Sequence, residues 1–334
     1  MNSGSGIAVI IPFYQRTPGI LIRAVRSVFE QSGVSGFQII VVDDGSPIPA
    51  REELAELGKE ARERLVIVEQ SNRGAAGARN RGLDSVPPNT EIVAFLDSDD
   101  VWTPNHLPNA MFALNQGFDL YFADFHQLGQ SVTAFDRARR ISTVEHPLIA
   151  GSSHVREYRG DMINQVITGN VLGTSVTVYA YSRMRDLRFR EDFRHTGEEY
   201  LFWLDLALRS RKIAFSDLPE CRYGAGVNIY SESEWGQQKY LTIIIDEVKY
   251  RRRILSEYRI TDAQREFLED RIRTLRRQFT AGLFHYMRKN RRVVDAVVLR
   301  QYAAVDKTYP LTIWPAALRI LWDKLAARPK PPAA

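Results

Sequence analysis

The sequence predicts an α/β protein whose first half is a parallel sheet wrapped in helices. Three observations carry that prediction. Short β-branched runs, "IAVII" at 7–11 and "QIIVV" at 38–42, are apolar on both faces, as strands covered from both sides must be. Ile20, Leu21, Ala24, Val25, Val28 and Phe29 lie between them at helical spacing, which completes a βαβ unit. Polar residues then gather at the end of each apolar run, where α/β sheets bind ligands.

Along the chain, a helix is expected over roughly 50 to 63, then a strand at "LVIVEQ", a helix at "GAAGARNRGLDSV" and a fourth strand at "EIVAFLD". A right-handed crossover is expected at each step. From about residue 120 the elements become short and mixed: "DLYFADF", a polar stretch 127–160, a strand through "GNVLGTSVTVY", and a helix from about 197 to 211. Residues 239–258 and 262–288 also read as helices. The second opens with a capping box, Thr261 and Gln264, and places Leu268, Ile272, Leu275, Phe279 and Leu283 on one face. The expected division is a domain over 1–235, with a nucleotide-binding half to about 120 and an acceptor half beyond it. A basic helical region over 236–328 and a disordered Pro-rich tail over 329–334 follow.

The chain has 334 residues, 44% hydrophobic and 25% charged, enough to bury a full core. Its one cysteine, Cys221, excludes an internal disulfide framework and is read as a small packed residue in a cytosolic protein. The opening "MNSGSGIAVIIPFY" lacks a basic n-region and its apolar run is broken at Pro12, so it is read as neither signal peptide nor membrane span. Net charge is +5, but Lys249 to Arg300 alone carries 15 Lys and Arg against 6 Asp and Glu, so the remainder is net acidic.

The chemistry is concentrated in "VAFLDSDD", where an oily run ends in Asp97, Ser98, Asp99 and Asp100. Adjacent carboxylates at a sheet edge cost free energy unless a cation or several donors neutralise them. Alternation aims Asp97 and Asp99 at one hard divalent ion, Mn²⁺ or Mg²⁺, completed by water and substrate phosphate, while Ser98 points elsewhere. An Asp-rich turn capping the next helix explains the same residues without a metal. In "DDGS", Asp43 and Asp44 can accept from a base or ribose, or serve a strand-to-helix turn. "NRGAAGARNRGL" opens a helix and brings Arg73 and Arg79, both suited to phosphate.

The ordered set "VIIPFYQR", "VVDDGS", "NRGAAGARNRGL", "VAFLDSDD" and "GEEYLFWLDLALR" resembles the inverting family 2 glycosyltransferases, whose nucleotide-sugar-binding fold is called GT-A. The likeness covers residues 7 to about 215, and the opening and "FWLDLALRS" are similar to bacterial exopolysaccharide transferases of the succinoglycan type. The resemblance implies transfer from a UDP-sugar donor to a hydroxyl of a glycan or lipid-linked acceptor. Pro12, Tyr14, Asp44 with Asp43 beside it, Arg79 with Arg73 as fallback, and Ser98 would then hold the donor. Asp97 and Asp99 would hold the metal, and Glu199 would be the base by position. The family carries Asp where this chain has Glu199, so Glu198 stays open as the base. The family's histidine after the base is missing, which leaves Asn228 or Ser231 for the remaining metal position. Phe202 and Trp203 are assigned to the core, and His195 to a loop or the acceptor side rather than to a ligand position.

Trp314, Leu318, Leu321, Trp322 and Leu325 share one face of a last helix, with basic residues opposite. That stripe suits an anionic membrane surface at the cytoplasmic face of the inner membrane, and equally packing on the catalytic domain or on a second subunit, as in a homodimer through the C-terminal helices. Nucleic acid binding is not expected, because no groove-reading motif accompanies the basic charge. A receiver-type Mg²⁺ domain is disfavoured by acids on the second and fourth strands and by no lysine after a fifth. A catalytically inactive glycan-binding or scaffold protein is the remaining rival.

Overall fold

The computed structural model describes residues 6–226, 235–290 and 296–309. The chain divides into two compact units, Met1–Asp192 with Glu198–Asn228, and Phe193–Gly197 with Ile229–Ala334.

The first unit begins as the apolar runs dictate: β1 (Ile7–Phe13), α1 (Leu21–Phe29), β2 (Phe37–Asp43), α2 (Ala50–Glu53), α3 (Lys59–Glu63), β3 (Leu65–Glu69), α4 (Gly74–Asp84) and β4 (Ile92–Phe95). These four strands are all parallel, in the spatial order β3-β2-β1-β4. Helix α1 buries Leu21, Ile22, Ala24, Val25 and Val28 on one face. Helix α4 lies so near β1 that a Cβ on Gly82 would sit 2.3 Å from Ile10 Cγ2. The expected continuous helix over 50–63 is corrected to α2 and α3. Gly58 caps α3 in an extended conformation, and Leu54 and Leu57 turn inward between the two.

The second half adds β5 (Val101–Trp102), α5 (His106–Asn115), β6 (Leu120–His126), α6 (Ala134–Ala138), β7 (Val155–Glu157), α7 (Met162–Gly169), β8 (Val178–Tyr179), α8 (Glu198–Arg209) and β9 (Ile213–Arg222). The sheet therefore becomes mixed: β8 is antiparallel to β4 and β6, while β6 and β9 run parallel. β5 and β7 pair with β9. The strand expected through 169–179 shrinks to the two residues of β8. The Thr177 hydroxyl donates to the Gly173 carbonyl at 2.8 Å, and a 3₁₀ turn occupies Thr174–Val176. Phe202, Trp203 and Cys221 are buried in this unit.

In the second unit α9 (Gln238–Glu257), α10 (Asp262–Asn290) and α11 (Ala296–Val305) share a core of Leu241, Ile245, Val248, Leu275, Phe279 and Tyr302. The capping box closes α10, with Thr261 and Gln264 exchanging backbone-to-side-chain bonds of 3.0 and 3.2 Å. Buried Asp306 accepts from Arg276 at 2.6 and 2.8 Å and from Arg252 at 2.9 Å. His195 donates its backbone N–H to Asp246 at 2.9 Å. Asn228, Ser231, the stripe from Trp314 to Leu325 and the tail lie outside the described residues. No described helix is long and apolar enough to cross a membrane.

Candidate active site

Hydrogen bonds join the ends of the four parallel strands. After β1, Gln15 donates to Ser98 Oγ at 3.1 Å and its backbone N–H to Ser46 Oγ at 3.0 Å. After β2, the Asp43 carboxylate accepts from the Ser46 and Ala50 N–H groups, both at 2.8 Å, so it closes the turn and caps α2. Asp44 turns toward β3. Its Oδ1 accepts from Gln70 Nε2 at 2.7 Å and Arg73 N–H at 2.8 Å, and its Oδ2 from Gly74 N–H at 2.8 Å. Three of its roughly four lone-pair sites are thus used. Pro12 and Tyr14 are half-buried at the same edge.

Arg79 is enclosed among the acids of the site. Its side chain is 3% exposed and its Nη2 lies 2.8 Å from Asp97 Oδ1 and 3.1 Å from Glu199 Oε1. Nη1 is 3.9 Å from Glu198 Oε1. The guanidinium also covers the Phe189 ring, which stacks on Phe202 of α8 at 3.9 Å. Burial disfavours the cation, but the charges of Asp97, Glu199 and Glu198 more than offset this and hold its pKa above the usual value. The guanidinium, expected to hold phosphate, is thus tied among three acids. Arg73 is half exposed and pairs with Glu191 at 2.5 Å.

The acids of "DSDD" are held from a segment that sequence reasoning passed over. Asp99 accepts from Gly226 N–H at 2.8 Å, and Asp100 from Gly224 N–H at 3.0 Å and Ser175 Oγ at 2.5 Å. A Cβ on Gly224 would fall 1.7 Å from the Asp99 carbonyl oxygen, and one on Gly226 would fall 2.5 Å from the Asp99 carboxylate. The signal was present as two alternate glycines in "YGAG" directly after β9. Ser98, 4% exposed, is turned to Gln15. Burial and then the neighbouring Asp97 charge push the Asp99 carboxyl up to about 6. Burial, then the charges of Asp97 and Asp99, raises Asp100 above the ordinary carboxylate range. Carboxylates crowded this closely fit a divalent cation. Among the described residues no cluster of three or more His, Cys, Asp or Glu could hold one. Any cation here would take two carboxylates and fill its shell with water and phosphate oxygens, a habit of Mg²⁺.

Glu198 and Glu199 open α8, and the structure separates them. Glu198 is 6% exposed. Glu199 keeps 30% of its side chain open, and its Oε1 accepts from Thr174 Oγ1 at 2.8 Å beside Arg79. Its Oε2 accepts no hydrogen bond from the described residues.

A curled mixed sheet with acids at the fourth strand end and a paired carboxylate on a facing helix defines a GT-A glycosyltransferase. Residues 8–188, more than half of the chain, match the family described as Glycosyl transferase family 2. The chain belongs to that family and is a glycosyltransferase. It is 35% identical over 244 residues to the succinoglycan biosynthesis protein ExoW of Rhizobium meliloti, covering 70% of this chain and 74% of that one. In fold it is similar to the mannosyltransferase PcManGT from Pyrobaculum calidifontis in complex with GDP-Man and Mn²⁺, with a TM-score of 0.55, 16% identity, and 97% and 89% of the two chains covered. It is also similar to S. aureus TarS 1-349 in complex with UDP-GlcNAc, with a TM-score of 0.52, 16% identity, and 91% of each chain covered.

Proposed function

We propose that this glycosyltransferase moves a sugar from a UDP-sugar to a hydroxyl of a glycan or lipid-linked oligosaccharide, with inversion and with a divalent metal, in bacterial surface or exopolysaccharide synthesis. The observation that carries the reading is the shared guanidinium: Arg79 Nη2 lies within 3.1 Å of both Asp97 and Glu199. The acids that would hold the donor's metal and the acid that would take the acceptor's proton are thus parts of one site. UDP-GlcNAc on TarS and Mn²⁺ on PcManGT support the donor and metal classes, and the succinoglycan protein supports the polysaccharide setting.

Inverting transfer is a displacement at the anomeric carbon from the face opposite the leaving diphosphate, so it needs a base on one side and charge relief on the other. Glu199 fits the base. Thr174 and Arg79 both load Oε1, which fixes the carboxylate and leaves Oε2 to accept the acceptor's hydroxyl proton. Glu198 is buried behind it, where its charge serves to hold Arg79. Asp99 and Asp97 would hold Mn²⁺ or Mg²⁺, which when bound supplies Lewis-acid relief of the departing diphosphate's charge. Asp44 has acceptor capacity left for the nucleoside, and the half-buried Tyr14 would cover the base. Arg73 can swing from Glu191 to the diphosphate.

A thermal-shift screen of UDP- and GDP-sugars with Mn²⁺ tests this, because a ligand of the folded state raises the melting temperature. A rise with at least one UDP-sugar, abolished by Asp99→Asn, is expected. No shift with any nucleotide sugar or with UDP at saturating Mn²⁺ would sink the reading. A lipid-borne acceptor would place the reaction at the cytoplasmic face of a membrane. Co-flotation with anionic vesicles that is lost on removing residues 311–334 is the matching outcome, and an unchanged distribution the contrary one.

A further inference from the structure

Tyr223, the last residue before Gly224, is absent from the roles above, and its surroundings single it out. The ring is fixed: it stacks on Phe125 with centroids 4.4 Å apart and planes 16° from parallel, and its backbone N–H donates to the His126 carbonyl at 2.9 Å. Its hydroxyl rests against Gly173, where a Cβ would lie 2.2 Å from the oxygen. Gly173 immediately precedes Thr174, which binds Glu199, and Tyr223 immediately precedes Gly224, which binds Asp100. The segments that meet at this contact thus each reach the site, one through Thr174 to Glu199 and one through Gly224 to Asp100. The charges of Asp100, Asp97 and Glu199 all act on the Tyr223 hydroxyl.

That hydroxyl has no hydrogen-bond partner among the described residues, and the side chain is only half-buried. Here the ring is pinned on Phe125 and seated against Gly173, while the O–H is open to a ligand or to water. We propose that Tyr223 is a substrate-contacting residue whose hydroxyl hydrogen-bonds a sugar hydroxyl at the reacting centre, fixing the sugar for displacement. The proposal rests on Glu199 being the base. The sugar is either the one transferred or the acceptor's, and the two are separable.

Tyr223→Phe removes only the oxygen. The melting temperature should be unchanged and the affinity for UDP with Mn²⁺ should match wild type, since neither depends on this hydroxyl. If the contact is to the transferred sugar, calorimetry should show UDP-glucose binding weakened roughly ten-fold, the loss of about one hydrogen bond, with UDP unaffected. If it is to the acceptor, both affinities hold, while the KM for p-nitrophenyl β-glucoside as surrogate acceptor rises by a similar factor. Gly173→Ala, which drives a methyl into the oxygen, should reproduce the defect. A destabilised Tyr223→Phe, or one equal to wild type in UDP-glucose affinity and in transfer, overturns the proposal. Glu199→Gln is assayed in parallel: if it retains wild-type turnover, the base assignment fails, and the UDP-glucose result for Tyr223 still stands by itself.

Discussion

Arg79 on α4 and Asp97 after β4 are joined by a 2.8 Å ion pair in which the cation is nearly sealed from water and the carboxylate is one-third exposed. The same nitrogen reaches Glu199 on α8, so one side chain binds three elements of the sheet's functional edge. A buried cation is stable only while its acids remain, and the acids repel one another without it.

Arg79→Ala is therefore expected to destabilise the protein by about 2–4 kcal/mol, less than for a fully enclosed pair because Asp97 and Glu199 keep some solvent. Arg79→Lys should recover only part of this, since an ammonium lacks the planar fork that spans two carboxylates. Urea unfolding at neutral pH reads both. A lysine variant as stable as wild type would show that charge alone suffices.

Gly224→Ala should disable the acid cluster from a distance in sequence. The added methyl meets the Asp99 backbone, which no rotamer change can relieve. UDP affinity with Mn²⁺ should fall more than about ten-fold, as expected where a metal ligand is displaced. Calorimetry that finds wild-type affinity would mean that the loop absorbs the methyl without moving Asp99.

Much of this was legible in the sequence. The runs at 7–11 and 38–42 are apolar on both faces and became paired parallel strands, and Leu268 through Leu283 became the buried face of α10. The break between α2 and α3 was hidden because a lone Gly58 is weak punctuation inside a helical pattern. The partners of the acids were harder to see. Arg79 meets Glu199 across 120 residues, and Asp100 meets Gly224 across a similar span, so no local pattern encodes either contact. Asp43 shows the opposite limit: its residue type suits nucleoside binding and turn capping alike, and only its bonds to Ser46 and Ala50 reveal the capping.

Thr174→Val should separate orientation from binding. It removes one donor to Glu199 Oε1 while leaving the donor-sugar side intact, so kcat should fall by about ten-fold with little change in the KM for the nucleotide sugar. A change in KM alone would place Thr174 in substrate binding instead.

Asp306 offers a pH prediction within the helical unit. Burial opposes its charge, but the bonds and charges of Arg276 and Arg252 win, and its pKa lies below the ordinary value. The native state then binds fewer protons than the unfolded state as pH falls into the ordinary carboxylate range, so the stabilisation is complete above about pH 4 and is lost below it. Asp306→Asn should be clearly less stable than wild type at pH 7, with the gap closing as acid is added. A gap that is constant down to pH 3 would refute the charge account.

The most direct test is turnover of a UDP-sugar by wild type and Glu199→Gln with Mn²⁺, with UDP affinity measured on the same samples. The expected result is equal UDP affinity and a rate lower by at least about 100-fold in the variant, the usual contribution of a general base. Equal rates in the two proteins would contradict the account.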